Sequence, residues 1–146
     1  MIAVFQKILV AYDGSETAKI ALDKAISLKQ VFTQATLEVV HVFQIANLVI
    51  SDTIVTGPAP VQAELYQASE AIVEQARQRI SHLPFSTATL LDGGAPAPVI
   101  LDYADEHQFD LVVIGSRGMG ALKELVLGSV SHEIVQRANI PVLVVK

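Results

Sequence analysis

Apolar residues occur along the chain as short unbroken runs, separated by stretches in which they recur at helical spacing. Lys7-Ile-Leu-Val-Ala-Tyr-Asp13, Thr36-Leu-Glu-Val-Val-His-Val-Phe43, Leu111-Val-Val-Ile114 and Ile140-Pro-Val-Leu-Val-Val145 have the length and β-branched content of strands. Their continuity predicts burial on both faces, as in a parallel sheet. Ser86-Thr-Ala-Thr-Leu-Leu-Asp92 alternates more and reads as an edge strand. Between the runs, Ala18, Ala21, Leu22, Ala25 and Ile26 predict a first helix to about Val31, entered through Ser15 as N-cap with Glu16 in the first turn. Leu65, Ala68, Ile72, Ala76, Ile80 and Leu83 predict the inner face of a second helix, and Val99, Ile100, Tyr103 and Ala104 that of a third, about Ala97 to His107. A fourth opens at Gly128-Ser129 and runs to about Ala138. Strand and helix alternate, so the expected fold class is α/β: a five-stranded parallel sheet with right-handed crossovers and helices on both faces.

One stretch breaks this rhythm. Gln44 to Pro60 is long for a loop, yet carries Ile45, Leu48, Val49, Ile50, Ile54 and Val55 before Gly57-Pro58-Ala-Pro60. It reads either as a cover packed weakly on the sheet or as a lid or partner surface.

Composition narrows the class. The 146 residues suit a single domain, 1–146, and only 17% are charged. The apolar runs fall well short of the ~20 residues that cross a bilayer, so no membrane association is expected. Met1-Ile-Ala-Val-Phe-Gln-Lys7 leads straight into the first strand with no basic region ahead, which makes the cytoplasm the expected compartment. With no cysteine, disulfides, thiolate metal sites and cysteine nucleophiles are excluded. A net charge of −5 without a dense Lys/Arg cluster argues against a nucleic-acid partner.

The candidate chemistry lies in Gly115-Ser-Arg-Gly118-Met-Gly120-Ala-Leu-Lys-Glu-Leu-Val-Leu-Gly128-Ser129-Val-Ser131, between the carboxyl end of a strand and the amino end of a helix. In an open α/β sheet that is where ligands bind, and a helix amino terminus favours anions. Glycine lets backbone N–H groups approach phosphate oxygens, and Ser129 and Ser131 can add hydroxyl donors. Two common phosphate loops do not fit. After Gly115 and Gly120 come Ala121 and Leu122 where G-x-x-x-x-G-K-[ST] needs lysine and a hydroxyl, and Gly118-Met-Gly120 is followed by Ala-Leu-Lys, not by the last glycine of G-x-G-x-x-G.

What does fit is glycine, two residues, glycine, nine residues, glycine, serine, at Gly115, Gly118, Gly128 and Ser129. This spacing resembles the nucleotide-binding signature of the universal stress protein family, in its ATP-binding branch. Ala11-Tyr12-Asp13-Gly-Ser resembles the family's opening, Leu-Glu-Val-Val-His-Val42 its second strand, Gly94-Ala-Pro96 its Gly-x-Pro turn, and Asn-Ile-Pro-Val-Leu-Val-Val its close. The resemblance implies a sheet in the order 3-2-1-4-5, of the adenine nucleotide alpha hydrolase-like type, and homodimers paired through the last strand, residues 141–145. It implies an adenine nucleotide, ATP, as ligand, with Mg2+ through the phosphates. Asp13 would contact ribose or adenine and Val42 would meet adenine through its backbone. The remaining expected contacts are Ala11, Tyr12, Ile114, Gly115, Arg117, Gly118, Gly120, Gly128, Ser129, Val130 and Ser131. The last strand supports the dimer independently, because Val142-Leu-Val-Val145 is an apolar edge with nothing to blunt it.

Other readings of single residues compete. Asp13 beside Gly14 suits a turn as well as a ligand, and Arg117 suits solvent as well as a phosphate. A receiver domain is rejected, since Tyr12 breaks its acidic pair and Ile140-Pro141 supplies no lysine. His41, His82, His107 and His132 have no metal-ligand spacing: His41 is expected within the sheet and the others on the surface. No G-x-S-x-G elbow occurs and no general base is evident, so a nucleotide-dependent stress-response or signalling module is expected, with slow ATP hydrolysis left open and no catalytic or metal-ligating residue assigned. Two alternatives stand beside it: a nucleotide-free interaction module, and an adenylyl-transfer or pyrophosphatase-type enzyme, whose S-G-G-x-D-S loop Asp92-Gly-Gly-Ala does not match.

Overall fold

The computed structural model describes residues 4–45, 47–118 and 126–146. In chain order the elements are β1 (Lys7–Ala11), α1 (Glu16–Val31), β2 (Thr36–Val42), β3 (Asn47–Ile50), β4 (Thr53–Thr56), α2 (Ala59–Ile80), β5 (Ser86–Leu91), α3 (Pro96–Glu106), β6 (Leu111–Gly115), α4 (Ser129–Arg137) and β7 (Val142–Val145). Five of the strands form one sheet in the order β5-β2-β1-β6-β7, and all four pairings in it are parallel. Counting only the strands of that sheet along the chain, the order is 3-2-1-4-5. The expected fold class is the observed one.

The apolar runs explain the layering, because successive side chains of a strand face opposite sides of the sheet. Ile8 and Val10 of β1, with Leu111 and Val113 of β6, point into a core closed by Ala18, Ala21, Leu22 and Ala25 of α1 and by Val73, Ala76 and Ile80 of α2. Leu9 and Ala11, with Val112 and Ile114, point the other way, into a core closed by α3 and by Ile134 of α4. A strand buried on both faces needs apolar residues at every position, which is why β1 and β6 show no alternation. The helix after β1 therefore covers one face and the helix after β6 the other. Since β1 and β6 are neighbours, a crevice opens between their carboxyl ends.

Helix α1 begins as its sequence dictates: Ser15 Oγ accepts from the Ala18 N–H at 3.2 Å and Glu16 occupies the first turn. Two expectations are revised. The loop at 44–60 contains an antiparallel hairpin, Asn47 opposite Thr56 through Ile50 opposite Thr53, separate from the main sheet. Its turn residues Ser51 and Asp52 both take positive φ, 47° and 66°, the left-handed geometry that lets two strands meet through two residues. The inner face of α2 is also shifted: Ser69, Val73, Ala76 and Ile80 are buried, while Leu65 is 38% exposed. No residue from Ala59 to Ala68 is buried, so the helix reaches the core only in its second half. His82, His107 and His132 lie on the surface as expected. Among the described residues no helix is long and apolar enough to cross a membrane.

Candidate functional site

A cavity of about 820 Å3 lies at the carboxyl ends of β1, β2 and β6. Three stretches distant in sequence line it: Ala11, Tyr12 and Asp13 leaving β1, Ile114, Gly115, Arg117 and Gly118 leaving β6, and Gly128, Ser129, Val130 and Ser131 opening α4. Val42, at the end of β2, joins them. Every expected site residue among those described thus borders one hollow; Gly120 lies outside the described residues.

The two glycine clusters are tied to each other. Gly128 N–H donates to the Ser116 carbonyl at 2.7 Å, and Ser116 N–H to the Val145 carbonyl at 2.7 Å, so the start of α4 and the end of β7 both hold the loop after β6. Ser131 Oγ is 2.8 Å from the Ser116 carbonyl and 3.1 Å from that of Gly128. A hydroxyl has one hydrogen, and here it goes to the loop's own carbonyls. The expectation of Ser131 as a hydroxyl donor to a ligand is therefore revised: its side chain closes the loop, and only its backbone N–H remains at the helix terminus. Helix α4 starts at Gly128 without a side-chain cap. The N–H groups of its first turn have no intrahelical acceptor, and they border the cavity through Ser129, Val130 and Ser131.

Close approach explains two of the glycines. A Cβ on Gly115 would lie 2.7 Å from Thr17 Oγ1 and 2.8 Å from the Thr17 carbonyl carbon, because α1 starts directly against β6. The Thr17 hydroxyl donates to the Arg117 carbonyl, a second tie between α1 and the loop. A Cβ on Gly118 would lie 2.6 Å from Asp13 Oδ2. Asp13 Oδ1 accepts from the Ser15 N–H at 2.9 Å, and Gly14 takes φ of 80°. Asp13 therefore makes the turn and also places its carboxylate against the glycine loop.

The cavity has walls that sequence reasoning missed. Ile72 of α2 packs 3.6 Å from a Cβ position on Gly14, and the Tyr12 hydroxyl donates to Gln75 Oε1 at 2.8 Å, which locks α2 to the β1 turn. Ala95, Pro96, Ala97 and Ile100 form an apolar wall opposite, and Val40, His41 and Gln44 complete the β2 side. Small apolar residues carry no motif, so only the Gly94-Ala-Pro96 turn marked this wall beforehand. Glu133 also borders the cavity and pairs with Arg137 at 2.5 Å. Burial raises the pKa of the Tyr12 phenol, and Asp13 adds to the rise against the opposing pull of Arg79. His41 is lowered by burial, against the Tyr12 carbonyl and Asp13, which favour its charged form. Among the described residues no group of three or more His, Asp or Glu is placed to hold a metal ion.

In its chemistry the hollow offers apolar walls from β2 and α3, the Asp13 carboxylate beside the glycine loop, and the amino terminus of α4. Such a combination suits a ligand with a flat apolar head, hydroxyls and an anionic tail.

Comparison with known proteins agrees with the fold. Residues 5–146 match the model of the universal stress protein family. Universal stress protein YxiE of Bacillus subtilis is 36% identical, over 98% of this chain and all of that one. The structure of universal stress protein UspA from Lactobacillus plantarum superposes with a TM-score of 0.81 at 28% identity, covering 99% of this chain and all of the other. A universal stress protein in complex with cAMP superposes with a TM-score of 0.72 at 25% identity, covering 99% of each chain. The chain belongs to the universal stress protein family.

Proposed function

We propose that this chain binds an adenine nucleotide, ATP, and acts as a nucleotide-dependent stress-response or signalling module in the cytoplasm. One observation carries the proposal: two glycine clusters, 115–118 and 128–131, border one cavity and are bonded to each other. In this reading the phosphates lie on backbone N–H groups of the loop after β6 and of the first turn of α4. Among the described lining residues Arg117 supplies a side-chain cation at that end. Asp13 takes the ribose, and the base lies toward Val42 and the apolar wall of α3. Mg2+ enters with the phosphates, as triphosphates carry it with few protein ligands. The universal stress protein in complex with cAMP is a relative that holds an adenine nucleotide. The cavity volume of about 820 Å3 falls within the range usual for small-molecule sites.

A homodimer through β7 belongs to the same proposal. β7 is an outer strand of the sheet, and Leu143 on it is 38% exposed. Single-domain organisation over 1–146 and the absence of a catalytic residue are likewise part of this reading. The test is thermal melting of protein stripped of carried-over ligand. Millimolar ATP is expected to raise the midpoint by several degrees, as ligand at about a hundred times Kd adds about 2.7 kcal/mol. An unchanged midpoint removes the proposal.

A second reading, a nucleotide-free interaction module, is favoured by the exposure of Ile54 at 69% and Ile45 at 56% around the hairpin. Partner binding that survives Gly118→Ala with Gly128→Ala, in protein that no longer binds ATP, would support it.

A further inference from the structure

The parallel pairing of β1 with β2 ends at the cavity. Its last register pair is Ala11 with Val40, and Tyr12 N–H closes it by donating to the Val40 carbonyl at 2.9 Å. Beyond that point β2 keeps only its pairing with β5, with Phe43 N–H donating to the Leu91 carbonyl at 2.7 Å. The Tyr12 carbonyl is met instead by a side chain: His41 Nδ1 lies 2.8 Å from it. A carbonyl only accepts, so Nδ1 carries the proton whatever the charge on the ring. Nδ1–H is the less favoured tautomer of an isolated neutral imidazole, so the protein imposes it.

The position is an unusual one for an imidazole. Leu37 and Val39, which precede His41 on the same face of β2, are buried apolar residues of the core. A third apolar side chain would continue that face and leave the Tyr12 carbonyl without this partner. Across the Tyr12–Asp13 peptide the chain reaches the carboxylate whose Oδ1 accepts from Ser15 N–H and whose Oδ2 bounds the space at Gly118. The Tyr12–Asp13 peptide is thus the covalent link between the His41 hydrogen bond and that carboxylate.

We propose that His41 is a positioning residue of the nucleotide site: its Nδ1–H fixes the Tyr12 carbonyl, and through that peptide it sets the Asp13 carboxylate against Gly118. The proposal rests on the nucleotide reading above. It assigns the ring a defined tautomer and places its effect on ligand affinity through Asp13.

The experiment compares three variants with the parent. Asparagine puts an amide N–H near the place of Nδ1, whereas glutamine puts it near Nε2 and leucine has none. His41→Asn is expected to bind ATP within about threefold of the parent. His41→Gln and His41→Leu are expected to lose about tenfold or more, the scale of one well-placed hydrogen bond. Should leucine impair folding, the asparagine–glutamine contrast still decides, since both are polar and similar in size. Nitrogen-resolved NMR of the ring in the nucleotide-free parent is expected to show the proton on Nδ1 at neutral pH. Equal ATP affinity in the asparagine and glutamine variants, or a ring proton on Nε2, overturns the proposal while a binding parent keeps the nucleotide reading. A parent that binds no ATP overturns the nucleotide reading itself and the positioning role with it.

Discussion

The centre of the sheet and the hairpin with the first half of α2 are built on opposite terms. At the centre, β1 and β6 are buried on both faces, their ends carry the two turns, and α1, α4 and β7 all bond to the loop after β6. The hairpin forms its own two-stranded sheet, and Ile54, Val55, Val61 and Leu65 around it remain exposed. The edge-to-face contact of Phe43 with Tyr66, 5.3 Å between ring centres, is one link from the end of β2 to the exposed half of α2. The difference teaches where this chain uses its apolar residues. Those of the centre hold the walls of a cavity in fixed relation, whereas Ile54 and Val55 of the hairpin stand exposed.

Substitution can break that contrast. The largest effect is expected at the centre: Leu9→Ala, at a fully buried side chain, should cost about 2–5 kcal/mol in chemical denaturation. Gly115→Ala should follow at about 1–3 kcal/mol, because the new Cβ meets α1 backbone that cannot yield without moving the helix. Gly118→Ala separates function from fold. Among the described residues its Cβ meets the Asp13 carboxylate, the far end of a side chain and not backbone. Stability should fall by less than about 1 kcal/mol while ATP affinity drops about tenfold or more, read by melting and by calorimetric titration. Ile54→Ser on the hairpin should change stability by no more than about 0.5 kcal/mol and leave ATP affinity as it is. A loss of several kcal/mol there would mean that the hairpin belongs to the core after all.

The smallest expected effect is in pH dependence. Burial holds the His41 imidazole below its ordinary value of 6.5. Between the folded value and 6.5 the unfolded chain binds more protons than the folded one, so this group's contribution falls as pH drops through 6.5 and levels off below the folded value. Denaturation at pH 7.5 and pH 5.5 should show a larger acid loss for the parent than for His41→Asn. Equal losses would indicate an imidazole that titrates alike in both states.

Legibility in the sequence followed the same division. The central strands were readable because burial on both faces demands unbroken apolar runs, and α1 because Ser15 and Glu16 are its start signals. The glycine spacing found a loop that borders the cavity, since a Cβ at Gly115 would meet α1 backbone and one at Gly118 the Asp13 carboxylate. The hairpin was hidden by its turn, in which Ser51 and Asp52 adopt the left-handed conformations that glycine or asparagine would have announced. The face of α2 is shifted because Leu65 has helical spacing but is 38% exposed, and burial on that helix begins at Ser69. His41 and Ser131 were read by residue type alone. Their roles depend on which carbonyls face them, and tertiary structure alone supplies that.

The central claim is that separated peptide groups converge on one ligand. Backbone amide NMR during an ATP titration tests it most directly. The signals of Gly115, Gly118, Gly128 and Ser129 are predicted to move together and to report one common dissociation constant. Shifts confined to one cluster, or none at all at saturating ATP, would contradict the account.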